Sequence, residues 1–160
     1  LTNHEILSIQ LERFEKESLG SPVFGKVLLA KAQLLEKRGE KDQALAALEA
    51  VLANKYSSGK EKAEALFRSG NIQMAAGKPE LAVPYFQRIY VMHARWGEWV
   101  AKAYFRSGEA FEKLKDPLSA RKTYQELAAK EDLAGFPETQ LAKTRLDALG
   151  GPVAEENPKG

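Results

Sequence analysis

The sequence predicts an all-α fold, built as an array of stacked helix pairs, and three observations predict it. The stretch Ala63–Ile89, AEALFRSGNIQMAAGKPELAVPYFQRI, returns 38 residues later as Ala101–Leu127 and 38 residues earlier as Gly25–Val51. Apolar and small residues keep that register. Leu28, Leu66 and Tyr104 align, as do Ala32, Gly70 and Gly108; so do Ala44, Ala82 and Ala120, then Leu48, Phe86 and Tyr124, then Val51, Ile89 and Leu127. Each copy also reads as two helices joined by a short turn. Self-similarity at a period of tens of residues marks a repeat array, in which each pair is too small to close a core alone and must stack on the next.

Taken in order, Thr2 and Asn3 can cap a helix over 4–19 whose Leu7, Leu11 and Phe14 form one buried stripe. This helix has no partner in the register, and residues 1–21 read as a cap or a remnant repeat. Ser21 is placed as the next N-cap, with Pro22 at the first helical position, where a missing N–H costs nothing. Three repeats follow, at 22–57, 58–95 and 96–133. Their helices are expected at 23–38 and 41–53, at 60–76 and 79–94, and at 98–114 and 117–130, with turns at Gly39-Glu40, Gly77-Lys78 and Lys115-Asp116. Pro79 and Pro117 stand at helix starts and Asp116 is a natural cap, whereas Pro84 lies inside its helix and should bend it. Gly59, Gly97 and Gly135 recur in the linkers, where left-handed glycine can turn the chain. A capping helix at 137–149, within 134–150, is expected to cover the end of the array with Leu141, Leu146 and Leu149. The polar tail from 151 reads as disordered.

Composition narrows the function classes. The 160 residues carry 24 basic and 22 acidic side chains, a formal +2, with no block of like charge, so the footprint of a nucleic-acid binder is absent. There is no Cys and there are only two His, His4 and His93, which removes disulfides, thiolate chemistry and a zinc site; no metal and no cofactor are expected. No apolar run reaches the roughly 18 residues of a membrane span. The opening at Leu1 rather than Met points to a processed form or a fragment.

Gly70 and Gly108 sit in the middle of helices, where Gly costs about 1 kcal/mol relative to Ala. A neighbouring helix that approaches too closely for a side chain explains them. The order of large residue, small residue, turn, Ala, aromatic and aliphatic resembles the tetratricopeptide repeat. It is carried by Leu66, Gly70, Gly77, Ala82, Phe86 and Ile89, and again by Tyr104, Gly108, Phe111, Ala120, Tyr124 and Leu127, over residues 25–127. The usual unit of that family is about 34 residues, so each junction here is four residues longer. The family's early tryptophan is replaced by Leu28, Leu66 or Tyr104, and its closing proline is missing. The longer period is similar to that of certain tetratricopeptide proteins of the bacterial cell envelope, which points to the periplasm or envelope, with the cytoplasm as the alternative.

The resemblance implies a right-handed α-solenoid and a non-enzymatic protein-interaction module whose first helices line a concave groove for a peptide or partner segment. By register it places Lys26, Leu29, Gln33, Glu36 and Lys37 there from the first repeat, and Glu64, Phe67, Asn71 and Met74 from the second. Lys102, Phe105, Glu109, Glu112 and Lys113 come from the third. Phe67 and Phe105 occupy equivalent places in two FRSG segments, and each reads as ligand-facing or as half-buried packing. Arg68 and Arg106 form a cationic rim or salt bridges within the array. The carboxylate clamp of some family members is incomplete, because Leu29 and Gln33 stand opposite Lys102 and Arg106 where Lys and Asn are needed.

His93, Trp96 and Trp99, in YVMHARWGEW, mark a second interface or the packing of adjacent helix ends. Enzymatic constellations are missing, since Ser57-Ser58-Gly59 has no His partner and Glu109/Glu112 lie one helical turn apart. The alternative to partner binding is self-assembly, through the array ends or the Trp96/Trp99 junction, as a homo-oligomer or as part of a longer array.

Overall fold

The computed structural model describes residues 1–154. Among them are eight α-helices and no strand: α1 (Asn3–Glu17), α2 (Phe24–Lys37), α3 (Lys41–Ala53), α4 (Gly59–Ala75), α5 (Pro79–Met92), α6 (Gly97–Lys113), α7 (Pro117–Ala128) and α8 (Pro137–Ala148). A single 3-10 turn at Glu131–Leu133, absent from the sequence reading, precedes α8. Every helix boundary lies within two residues of its expected place.

Local chemistry explains these boundaries. Thr2 and Glu5 close a capping box on α1, with the Glu5 N–H donating to Thr2 Oγ1 at 3.2 Å and the Thr2 N–H to Glu5 Oε2 at 2.7 Å. Ser58 and Glu61 make the same reciprocal pair at the start of α4, at 3.1 and 2.9 Å. Asp116 caps α7 by accepting from the Ser119 N–H at 3.0 Å. Ser21 does not cap α2: its hydroxyl is buried and accepts no helix N–H, because a turn through Ser18–Ser21 delays the helix to Phe24.

Helix ends repeat one motif. After α2, the Gly39 N–H donates to Glu36 O and the Glu40 N–H to Leu35 O, a Schellman motif that needs a left-handed residue at position 39, where φ is +76°. The same bonds follow α4 at Gly77, φ +71°, and α6 at Lys115, φ +57°. The linker glycines do not share this conformation. Gly97 opens α6, and a β-carbon there would meet Leu133 and Phe136 at 3.2 Å; close packing, not a left-handed turn, accounts for it. Gly135 has no positive φ either.

The chain divides into two compact units, Leu1–Ile72 and a second that begins at Gln73. In the first, Leu28, Leu29, Ala32 and Leu35 of α2 cluster with Ala44, Ala47, Leu48 and Val51 of α3, and Ala65 and Ile72 of α4 join them. In the second, α5 packs on α6, α6 on α7, and α7 on α8. Ala82, Phe86, Ile89, Ala120, Tyr124 and Leu127 are wholly buried there, as the register requires. A β-carbon on Gly108 would overlap the Tyr124 ring. This is the close helix approach that the mid-helix glycine implied.

Two expectations are corrected. The stripe of α1 is not buried: Leu7 and Phe14 are 43% and 55% exposed, with Ile6 and Ile9 also open. The helix is instead fastened to α2 by polar contacts, Glu15 to Lys31 at 2.6 Å and Arg38 to Ser8 Oγ at 3.0 Å. On α8, Leu141 is half exposed, and Thr139, Ala142 and Leu146 face inward. The segment after α8 is described as far as residue 154. Pro152 and Val153 bond to α7, while 155–160 of the segment read as disordered lie outside the described residues.

Lys115 holds a conformation that suits glycine, at a cost of about 1 kcal/mol. Replacing it with the residue used at Gly39 and Gly77 relieves that cost. Lys115→Gly is expected to raise stability by up to about 1 kcal/mol, read as a higher denaturation midpoint with unchanged slope in urea.

Candidate functional site

Three helices open the three repeats, α2, α4 and α6, and the structure sorts their expected surface residues into three groups. Lys26, Gln33 and Lys37 of α2 are exposed, as is Lys113 of α6. Phe67, Asn71 and Phe105 are half-buried. Leu29 and Met74 are corrected outright, being only 7% and 6% exposed. Leu29 belongs to the first unit's core, because α2 meets α3 and also the Ala65 and Ile72 side chains of α4. Met74 is an unbranched thioether of the kind that fills core gaps.

The charged residues are engaged within each unit. Arg68 reaches back from α4 to α2, its Nε 3.1 Å from Glu36 Oε1 and its Nη1 donating to the Leu29 carbonyl at 3.3 Å; Glu64 lies 3.4 Å away. Burial pushes the Glu36 carboxyl up from its usual range, partly offset by Arg68, and Glu64 adds to the rise. Arg68 is thus an intra-unit tie rather than a free rim cation. Arg106, its counterpart, pairs with Glu109 on α6. Lys102 pairs with Glu98 at 2.6 Å and lies 4.9 Å over the Trp99 ring.

Glu112 is committed more deeply. The buried Tyr124 O–H donates to Glu112 Oε1 at 2.6 Å, and Arg145 of α8 grips both carboxylate oxygens at 3.0 and 2.7 Å. Burial and the neighbouring carboxylate push the Tyr124 phenol far above its ordinary value. Phe105 leans on the same tyrosine, ring centroids 5.8 Å apart. Phe105 thus rests one part of its ring on Tyr124 and is left half-buried.

At the α5–α6 junction, His93, Trp96 and Trp99 are half-buried. His93 ends α5 with its N–H on the Ile89 carbonyl at 2.8 Å, and Arg95 covers Trp96 at 5.4 Å. The open apolar surface beside them is Val91 and Met92, 74% and 66% exposed. Nearby, Tyr90 stacks on Tyr104 with ring centroids 3.9 Å apart, and Lys130 lies over Tyr104 at 5.6 Å. Burial first, then the Glu126 carboxylate, pushes the Tyr104 phenol from 10.0 up to about 12.

The sequence reading missed two polar residues of α7, Arg121 and Gln125, which hold the segment after α8. Their spacing of four, which puts them on one side of α7, was the signal in the sequence. Among the described residues no cluster of His and acidic groups is arranged to hold a metal, and no helix is long and apolar enough to cross a membrane. Two family models, each described as tetratricopeptide repeat, match residues 29–98 and 102–131. No curated protein and no solved structure was found to match the chain.

A phenol whose folded pKa is raised keeps its proton longer in the fold. Its stabilisation is therefore whole below pH 10 and is lost as pH climbs towards 12. The melting temperature is expected to fall across that window, and to fall less steeply in Tyr104→Phe; equal slopes would show that Tyr104 is not the group responsible.

Proposed function

The chain belongs to the tetratricopeptide repeat family, and from that premise we propose that it is a non-enzymatic protein-interaction module holding a peptide or partner segment on the first-helix faces of its repeats. Tetratricopeptide repeats are generally protein–protein interaction modules, and the two matches, which take in residues of all three repeats, carry the reading. The distribution of accessible side chains supports it. On α2, Lys26, Gln33 and Lys37 are exposed at spacings of seven and four, which keeps them near one side of the helix. On α6, Lys102 offers an ammonium that a partner carboxylate can share with Glu98, and Phe105 leaves part of its ring open.

The partner-facing residues are therefore Lys26, Gln33, Phe67 and Asn71 in the first unit and Lys102 and Phe105 in the second. Glu64, Arg68, Arg106, Glu109 and Glu112 act from behind by fixing the helices. A surface of mixed charge with partly open aromatic rings suits a segment that carries both acidic and apolar side chains.

The test compares affinity capture from lysate of the native source by the wild type, by Lys26→Glu/Gln33→Ala in the first unit, and by Lys102→Glu in the second. Lys26 and Gln33 are exposed, so helicity and melting temperature should not change in the first-unit variant. Lys102 also pairs with Glu98 and lies over Trp99, so the melting temperature of Lys102→Glu is measured beside its captured set. Proteins captured by the wild type and lost from either variant are the expected result. Identical captured sets from all three chains would remove the first-helix faces from consideration.

A further inference from the structure

The outer face of α7 already holds a backbone segment, the chain's own, which leaves α8 through left-handed Gly150 and Gly151 (φ +103° and +79°) and continues through Pro152 and Val153. Arg121 donates from Nε to the Gly151 carbonyl at 2.8 Å, and from Nη2 to the carbonyls of Pro152 at 3.1 Å and Gly150 at 3.4 Å. One helical turn on, Gln125 makes a two-way amide clamp: the Val153 N–H donates to its Oε1 at 2.7 Å, and its Nε2 donates to the Val153 carbonyl at 3.2 Å. All five contacts go to backbone atoms, and none reads a side chain.

The spacing explains why one helix can do this. Four residues of helix advance about 6 Å, and two residues of extended chain advance about 6.6 Å. Arg121 and Gln125, four apart, therefore meet Gly151 and Val153, two apart, with the segment running in the direction of the helix. As far as it is described, to Ala154, the resident segment does not fill the face. An open groove of about 530 Å³ remains beside Val153 and Ala154, lined by Leu118, Lys122, Glu126 and Ala129. Leu118 is half exposed there.

We propose that this face of α7 is a second partner site, which takes an extended segment of another protein by its backbone, and that Pro152–Ala154 occupies it in cis until displaced. The incoming segment has small residues opposite Arg121 and, opposite Gln125, an apolar residue large enough to enter the groove. The proposal rests on the chain being a protein-interaction module, but it uses a second helix rather than the first-helix faces. The turn Gly150-Gly151, bonded to Asp147 and Leu146 of α8, joins the resident segment directly to the helix beside the site and gives it an effective concentration on the order of millimolar, so it holds the site against weak competitors.

The test uses the full chain and the peptide acetyl-Gly-Gly-Pro-Val-Ala-amide. Val153→Pro removes the donor N–H and puts a ring carbon where Gln125 Oε1 now lies, so the segment cannot stay. In NMR spectra of the nitrogen-labelled chain, the Gln125 side-chain amide should move in this variant, and added peptide should return it towards its wild-type position. The same peptide should bind the wild type roughly tenfold more weakly or worse, because the resident segment competes. A peptide with proline in place of valine should have no effect. The proposal is overturned if the Gln125 signal is the same in both chains, or if the peptide leaves it unmoved in Val153→Pro. A concentration-dependent mass in light scattering that Gln125→Leu abolishes would assign the site to a second copy's tail and overturn the partner assignment. None of these readouts depends on the first-helix faces, so loss of that reading and loss of this one are told apart.

Discussion

The second unit depends on one close approach, that of the Tyr124 ring to the backbone of α6 at Gly108, where a β-carbon has no room. Bringing a tyrosine so far in strands its hydroxyl, and an unpaired buried hydroxyl costs about 1–3 kcal/mol. Glu112, one turn beyond Gly108, accepts that hydrogen bond, and Arg145 compensates the carboxylate from α8. A steric constraint thus becomes a polar one and then a link across three helices. The first unit meets the same constraint differently. Its equivalents are Ala32 and Leu48, both fully buried in one cluster, where alanine stands for glycine and leucine for tyrosine, so no hydroxyl needs a partner.

The two FRSG segments show how far local identity carries. Arg68 crosses to α2 and ties α4 to the Leu29 carbonyl and Glu36, while Arg106 pairs along its own helix with Glu109. Four identical residues in the same helical register meet different neighbours, and the neighbours decide the use. Phe105 likewise leans on Tyr124, a residue 19 positions away that no local pattern connects to it.

Much of the fold was legible from the sequence. The positions aligned at 38-residue spacing are buried, and all eight helices begin and end close to where caps, prolines and turn glycines put them. The errors share a cause. The stripe of α1 reads as a buried face because its spacing is helical, yet spacing says only that Leu7, Leu11 and Phe14 share a side, not that another helix covers it. Leu29 reads as surface because the register of the resembled family places it on the groove side, but α2 packs on both α3 and α4 and buries it along with Leu28. Gly97 reads as a turn residue, but a neighbour's side chains supply the reason for it.

The sequence by itself determined the repeat, the helix boundaries, the buried ladder from Leu28 to Leu127, and membership in a family of interaction modules, because each of these is written in short-range spacing. Only the tertiary structure decided which first-helix side chains stay open, which charges are already paired, and that the segment after α8 lies on α7. Those outcomes depend on contacts between residues some thirty positions apart, such as Arg121 with Gly151 and Arg145 with Glu112. A hydrogen bond across that separation leaves no periodic trace in either partner, so it becomes visible only once the helices are packed.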